Sequence, residues 1–208
     1  MINVSRPRGR PRAFDRALAL ATAAKTFWLH GYEGSSIADL TQAMGITPQS
    51  LYAAFGSKAA LYDEALGWYR TEVGGQTMAG FIGEPDVVRA FDHLLQATAL
   101  AFSEAGRPHG CMISTAVLNC ASETEPVARR VAEMRARTIA NYRVRLERGV
   151  TDGQLQGDTD TAALARFLVA IVQGLSVQAR DGAPPAELLS IVAIAIDALE
   201  RRRVAAAG

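Results

Sequence analysis

The sequence predicts an all-α protein of about nine helices. Three observations carry that prediction. Apolar residues recur at steps of three and four, the spacing of a helix face. Segments open on Ser, Thr, Asp or Pro and close on Gly. The strict alternation of a half-buried strand is nearly absent. At 208 residues, 49% hydrophobic and 21% charged, the composition excludes disordered and collagen-like chains, and the length suits one or two domains with a core.

Residues 13–30 read as the first helix, with Ala17, Leu20, Ala24 and Phe27 on one stripe and Gly31 as its stop. A second opens at Ser35 or Ser36 and ends at Gly45; Ser36 and Asp39 have capping-box spacing, with Asp in place of the usual Glu. The third has the sharpest start. Thr47 caps it, Pro48 takes the first helical position, where a missing N–H costs nothing, and two turns reach Phe55 before Gly56. Leu51 and Phe55 must face inward, which leaves Gln49, Ser50, Tyr52 and Ala53 outside.

The fourth helix starts with Ser57 as cap and Lys58 in the first turn, and runs through Leu61, Leu66 and Trp68 to Gly74 and Gly75. Residues 85–105 form the next, closed by Gly106, and a loop through Gly110 leads into a short apolar helix at about 111–121. Pro126 opens a long helix with Val127, Val131, Met134, Thr138, Tyr142 and Leu146 on its buried stripe. Its seven arginines between 129 and 148 read as a solvated face, with Glu133 and Glu147 among them. The last two helices, about 160–181 and 185–203, are apolar around more of their circumference than a monomer surface needs.

Charge is unevenly placed. Residues 1–60 hold seven basic and three acidic side chains, the remainder 15 basic and 18 acidic, so a basic N-terminal quarter faces an anion. The arginine-rich N-terminus has no apolar core and is not a signal peptide. The most apolar stretch, 162–177, is broken by Arg166, Gln173 and Gly174 and falls short of the ~20 residues of a membrane span. Cys111 and Cys120 show no metal spacing, and on one helix they stand too far apart to bond, so both read as buried hydrophobes in a cytoplasmic protein. His30 and His93 lack metal-spaced partners, and His109 beside Cys111 has nothing to orient it as a base. No catalytic residue, metal or cofactor is expected.

Three short helices within about 45 residues, with a Gly-containing turn between the second and third, describe a helix-turn-helix. A short capped helix with a small polar outward face can enter the major groove of double-stranded DNA. Gln49 offers an amide to adenine, Ser50 a hydroxyl to either base, and Ala53 a methyl to thymine. Tyr52 and Lys58 stand where phosphate contacts set register. The first-turn amides of the helix opened by Ser35 and Ser36 make another phosphate site. Arg6, Arg8, Arg10 and Arg12 form a basic arm for the backbone or minor groove.

The run from Gly31-Tyr32 through Ser35-Ser36-Ile37-Ala38-Asp39-Leu40, Met44-Gly45-Ile46-Thr47 and Leu51-Tyr52-Ala53-Ala54-Phe55-Gly56-Ser57-Lys58 resembles the DNA-binding domain of the tetracycline-repressor (TetR) family, over about residues 12–66. The remainder matches that family only in being helical and of the right length. The resemblance implies a ligand-responsive repressor that binds a near-palindromic operator as a homodimer, cytoplasmic and nucleoid-associated. Residues 1–57 would be the basic arm and helix-turn-helix, and 58–208 a helical ligand-binding and dimerisation domain. Thr47, Pro48, Gln49, Ser50, Tyr52, Ala53 and Lys58 would contact DNA, and the last two helices would form the dimer's four-helix bundle. Ala53 and Ala54 stand where many relatives carry a larger polar residue, so base contacts rest on Thr47, Gln49 and Ser50. Gly174 inside a strong helix costs ~1 kcal/mol relative to Ala; a close backbone approach across the dimer interface would account for it, and local flexibility is the alternative.

Trp68, Phe102, Met112, Asn119 and Tyr142 combine apolar surface with an occasional polar handle and are the candidate lining of an effector cavity. The fourth helix, the sole covalent link between the two parts, is the expected coupler. Two other classes remain: a constitutive DNA-binding regulator without effector, and a helical enzyme with a vestigial DNA-binding module, for which the sequence offers no nucleophile, base and oxyanion site.

Overall fold

Side chains at the starts of the first four helices satisfy amides that helix geometry leaves without partners. These details come from a computed structural model that describes residues 14–118 and 122–205. Helix α1 spans Arg16–His30, capped by Asp15, whose carboxylate accepts from the amides of Ala17 and Leu18 at 2.9 and 3.1 Å. Helix α2 is Ile37–Met44 and α3 is Pro48–Phe55, with Pro48 in the first turn. Helix α4, Lys58–Glu72, is capped by Ser57, which accepts from Ala60 N–H at 3.1 Å. There follow α5 (Gly75–Gly83), α6 (Val87–Phe102), a 3-10 turn at Ser122–Thr124, α7 (Glu125–Thr151), α8 (Thr161–Arg180) and α9 (Pro185–Glu200). The described residues are all-α, with one isolated bridge, Leu155 to Arg203.

Among the described residues the helix number agrees with expectation while one member differs. Residues 112–117 are consecutive turns and not a helix. The carbonyls of Ile113 and Ala116 accept instead from Arg135 Nη1 at 3.2 and 2.9 Å, and the amide of Cys111 donates to Ser176 Oγ at 2.8 Å. Distant side chains have taken groups a helix would use. Cys111 therefore does not share a helix with Cys120, which lies outside the described residues, and its sulfur accepts from Ile113 N–H at 3.4 Å. The unanticipated member is α5, which glycines 74, 75, 80 and 83 argue against locally. Packing overrides propensity there: Phe81 meets Phe91 at 4.9 Å and Tyr142 at 5.7 Å.

Two apolar cores form. The first gathers α1–α4 with Met112, Ala116, Val127 and Val131; α4 gives it Leu61, Tyr62, Ala65, Leu66 and Tyr69. The second gathers α5–α9 and Leu155, and Cys111 touches both. Helix α8 is 20 residues long and apolar enough to cross a membrane by length and composition, which corrects the shorter reading of 162–177. In this fold one of its faces, including Ala165, Leu168, Leu175 and Ala179, is buried in the second core. On α7 the solvated-face reading fails at Arg145, 8% exposed, whose Nη2 donates to the carbonyls of Glu84 and Pro85 at 2.9 and 3.1 Å.

Candidate nucleic-acid interface

The turn between α2 and α3 is made by Gly45 in the left-handed region (φ 66°), where a side chain would be strained. Ile46 N–H then donates to the Thr41 carbonyl at 3.1 Å, and the chain re-enters a helix at Thr47. Thr47 Oγ1 accepts from Ser50 N–H at 3.1 Å and stands 3.0 Å from Ser50 Oγ. Leu51 and Phe55 are buried. Thr47, Pro48, Gln49, Tyr52 and Ala53 are exposed, and Ser50 is half-buried against its cap. Tyr52, 49% exposed, is a large aromatic left in solvent beside an amide and a methyl group, a surface of groove-reading character.

Ser35 and Ser36 have opposite environments. Ser36 is the exposed cap of α2: its hydroxyl donates to Asp39 Oδ2 at 2.6 Å and accepts from Asp39 N–H at 3.1 Å, while its own amide donates to the same carboxylate at 2.9 Å. Those bonds hold the Asp39 carboxyl below its usual range, with a smaller contribution from His30. Ser35 is fully buried and its hydroxyl donates to the Gly31 carbonyl at 2.7 Å, so it closes the end of α1 and offers nothing to a phosphate. At this end of α2 an anion would meet the Ile37 and Ala38 amides with the Asp39 charge alongside, a weaker site than the start of α3 and α4.

Lys58 is not a free tether. Its Nζ lies 4.4 Å from the centre of the Tyr32 ring, and burial there lowers its pKa while Glu33 opposes that shift. Arg16 is a functional neighbour that sequence reasoning misses. Its Nη2 donates to the Ala54 carbonyl at 3.2 Å and to Glu64 Oε1 at 2.8 Å, and its guanidinium lies 4.4 Å over Phe55. These contacts tie the end of α3 to α1 and α4 across 38 and 48 positions of sequence, a separation that no local spacing rule signals. Arg8 and Arg10, like Arg6 and Arg12, lie outside the described residues.

The effector candidates are divided between the cores. Trp68 packs on the first and Met112 lies within it, Phe102 and Tyr142 belong to the second, and Asn119 lies outside the described residues. Met112 follows closely on Gly110, whose N–H donates to the Phe102 backbone carbonyl at 2.9 Å, and Cys111 packs against both cores. Two surface clefts occur elsewhere, one of about 470 Å³ between α1 and α2 and one of about 430 Å³ between α6 and α9. Neither is lined by any of the four. On the outer side of α8 and α9, Phe167, Val177 and Ile194 are exposed, and nothing stands within 4 Å of a side chain built at Gly174.

Comparison with known proteins bears on the whole arrangement. Residues 19–65 match the family model described as bacterial regulatory proteins, tetR family, and residues 88–200 match the tetracyclin repressor-like C-terminal domain. The chain is 33% identical over 192 residues to the HTH-type transcriptional repressor ComR of Escherichia coli (strain K12), covering 90% of each. It is 30% identical over 199 residues to BdcR, an HTH-type transcriptional repressor of the same organism, covering 94% of each. Among solved structures, a cysteine mutant of the TetR family transcriptional regulator CifR, complexed with 26 bp double-strand operator DNA, is 43% identical. That likeness covers 91% of this chain and 99% of the other, with a TM-score of 0.87.

Proposed function

This chain belongs to the tetR family of bacterial regulatory proteins, and on that premise we propose that it is a ligand-responsive repressor that binds a near-palindromic operator as a homodimer. It is a DNA-binding transcriptional regulator and not an enzyme. The observation that carries the reading is the outward face of α3, a capped eight-residue helix with Gln49, Tyr52 and Ala53 exposed and Leu51 and Phe55 buried. Thr47, Gln49 and Ser50 carry the base contacts, with the Ala53 methyl offered to thymine and Pro48 alongside at the DNA; Tyr52, Lys58 and Ser36 hold phosphates; Arg8 and Arg10 follow the backbone from the arm. Ser35 takes no part. The unit 1–57 reads DNA and 58–208 binds effector and dimerises, with α4 shared because its apolar side chains lie in the first core.

Exposed Phe167, Val177 and Ile194 support α8 and α9 as the dimer face, with Gly174 allowing close backbone approach. A two-fold pair presents two copies of α3, hence near-palindromic half-sites. The effector must bind a conformation with displaced α3 helices better than the DNA-competent one. Trp68, Phe102, Met112, Asn119 and Tyr142 are the candidate lining of its site. The protein works in the cytoplasm, bound to the nucleoid. A regulator without effector is the second reading, favoured by the tight packing of Phe102, Met112 and Tyr142; release of operator by a member of a metabolite panel would exclude it.

Selection of bound duplexes from a random pool tests the DNA reading. Gln49→Ala is expected to relax base preference at one position per half-site, at a cost of about 1–3 kcal/mol on the selected sequence. Tyr52→Phe and Lys58→Ala should weaken all duplexes alike, and Lys58→Ala, which removes a charge, should also flatten the salt dependence. An unchanged selected sequence for Gln49→Ala would refute direct readout by that amide.

A further inference from the structure

Besides the covalent connection through α4, a second connection joins the reading head directly to α8. Arg180, the last residue of α8, donates from Nη2 to the carbonyls of Trp28 at 2.6 Å and Leu29 at 3.2 Å, in the last turn of α1. Its Nη1 donates to Thr115 Oγ1 at 3.3 Å. A helix end leaves its final carbonyls without partners and carries partial negative charge, so a guanidinium there is doubly favoured. Trp28 answers from the same turn: its Nε1 donates to the Gly110 carbonyl at 3.1 Å, and its ring meets Tyr69 edge-on at 4.8 Å.

Gly110 is where the pieces converge. Its φ is +74°, and a side chain there would lie 2.5 Å from the Ser176 carbonyl and 2.8 Å from Arg180 Cγ. Ser176 is fully buried in α8 and accepts from the next residue's amide, Cys111, at 2.8 Å. Helix α1 is therefore gripped at both ends. Its C-terminal turn is held by α8 through Arg180, and at its N-terminal end Arg16 holds the Ala54 carbonyl of α3. A 15-residue helix is a rod of about 22 Å, so a displacement of α8 at one end is delivered to α3 at the other.

We infer that Arg180 is a positioning residue for DNA binding: through α1 it transmits the placement of α8 to α3 and so sets the distance between the two reading heads. The inference rests on the dimeric reading, in which α8 lies at the two-fold axis. Coupling thus has a route besides α4.

The test uses the full-length protein and duplexes that it selects from a random pool, each compared with versions carrying one or two base pairs added or removed at the dyad. Arg180→Ala leaves an exposed position and should keep wild-type helicity and dimer mass. It is expected to bind single half-site duplexes as wild type does, while its preference for the selected spacing falls about tenfold, the weight of one charge-assisted hydrogen bond. Arg180→Lys should restore part of that preference, and Trp28→Phe, which removes the indole donor and part of the ring, should lose part of it. A spacing preference equal to wild type in Arg180→Ala, or a loss uniform across spacings, overturns the inference alone. Wild-type protein that binds duplexes with no spacing preference overturns the dimeric reading along with it.

Discussion

Residues 47–56 and residues 110–117 are both short, mostly uncharged runs bounded by glycine or by a cap, yet they are organised in opposite ways. The first is built from within. Thr47 satisfies the Ser50 amide, Pro48 presets the first turn, Leu51 and Phe55 supply the buried face, and Gly56 ends it. The second is held from outside, by Arg135 on α7, Ser176 and Arg180 on α8 and Trp28 on α1. A DNA-reading helix must present the same outward side chains whatever the body below it does, and local closure provides that. A segment wedged between two cores is the reverse case: its conformation depends on the elements around it.

The comparison breaks first at Gly110. Gly110→Ala places a methyl group 2.5 Å from the Ser176 carbonyl on a backbone with φ +74°, so either α8 or the 110–117 run must move. A loss of about 3 kcal/mol is expected from overpacking and backbone strain together. Denaturant unfolding measures it. A variant as stable as wild type would mean that the segment is not wedged at all.

The next effect is a pH dependence confined to the body. Asp86 caps α6, accepting from Arg89 N–H at 2.9 Å, and is paired with Arg203 at 2.7 and 3.1 Å. The hydrogen bonds from Arg203 lower its pKa from 3.8 to about 2. A carboxyl with a lowered folded-state pKa stabilises the fold above its unfolded value and ceases to do so as pH falls, here between about 4 and 2. The contribution is about 1–2 kcal/mol for a side chain 27% exposed. Asp86→Asn should flatten that part of the stability curve, while Asp39→Asn in the exposed capping box of α2 should change it far less. Equal flattening by both would erase the contrast between a solvated cap and a cross-linked one.

How far each region was legible in the sequence follows from the same contrast. The starts of α2, α3 and α4, the Gly45 turn and the outward set on α3 are written in residues within four positions of one another, which is the range over which caps and helix faces act. Helix α5 was hidden because its glycines speak against a helix and the rings of Phe91 and Tyr142, which stabilise it, come from elsewhere in the chain. Residues 111–121 suggested a helix because an apolar run gives no sign that Arg135 will claim its carbonyls. Arg145 looked solvated among exposed arginines, and its partners are the backbone of Glu84 and Pro85, about 60 positions away. Arg16 and Arg180 were invisible for the same reason. The outward face of α3 is a local product and could be read; the contacts that join α1 to α3 and α8 are long-range and could not.

The smallest effect isolates the local end of the comparison. Thr47→Ala removes the oxygen that accepts from Ser50 N–H and leaves every long-range contact of the head in place. A lost cap of this kind costs about 1 kcal/mol. Because Thr47 Oγ1 also stands 3.0 Å from Ser50 Oγ, the substitution frees the Ser50 hydroxyl to rotate. Hydrogen exchange should quicken at the first amides of α3 and remain unchanged across 110–117, and duplex affinity should fall by about 1 kcal/mol or more, through loss of preorganisation and of the Thr47 hydroxyl at the bases. Thr47→Ser keeps the oxygen and should restore both. If exchange quickened across 110–117 as well, α3 would not be closed on itself, and the independence assigned to the reading helix would fail.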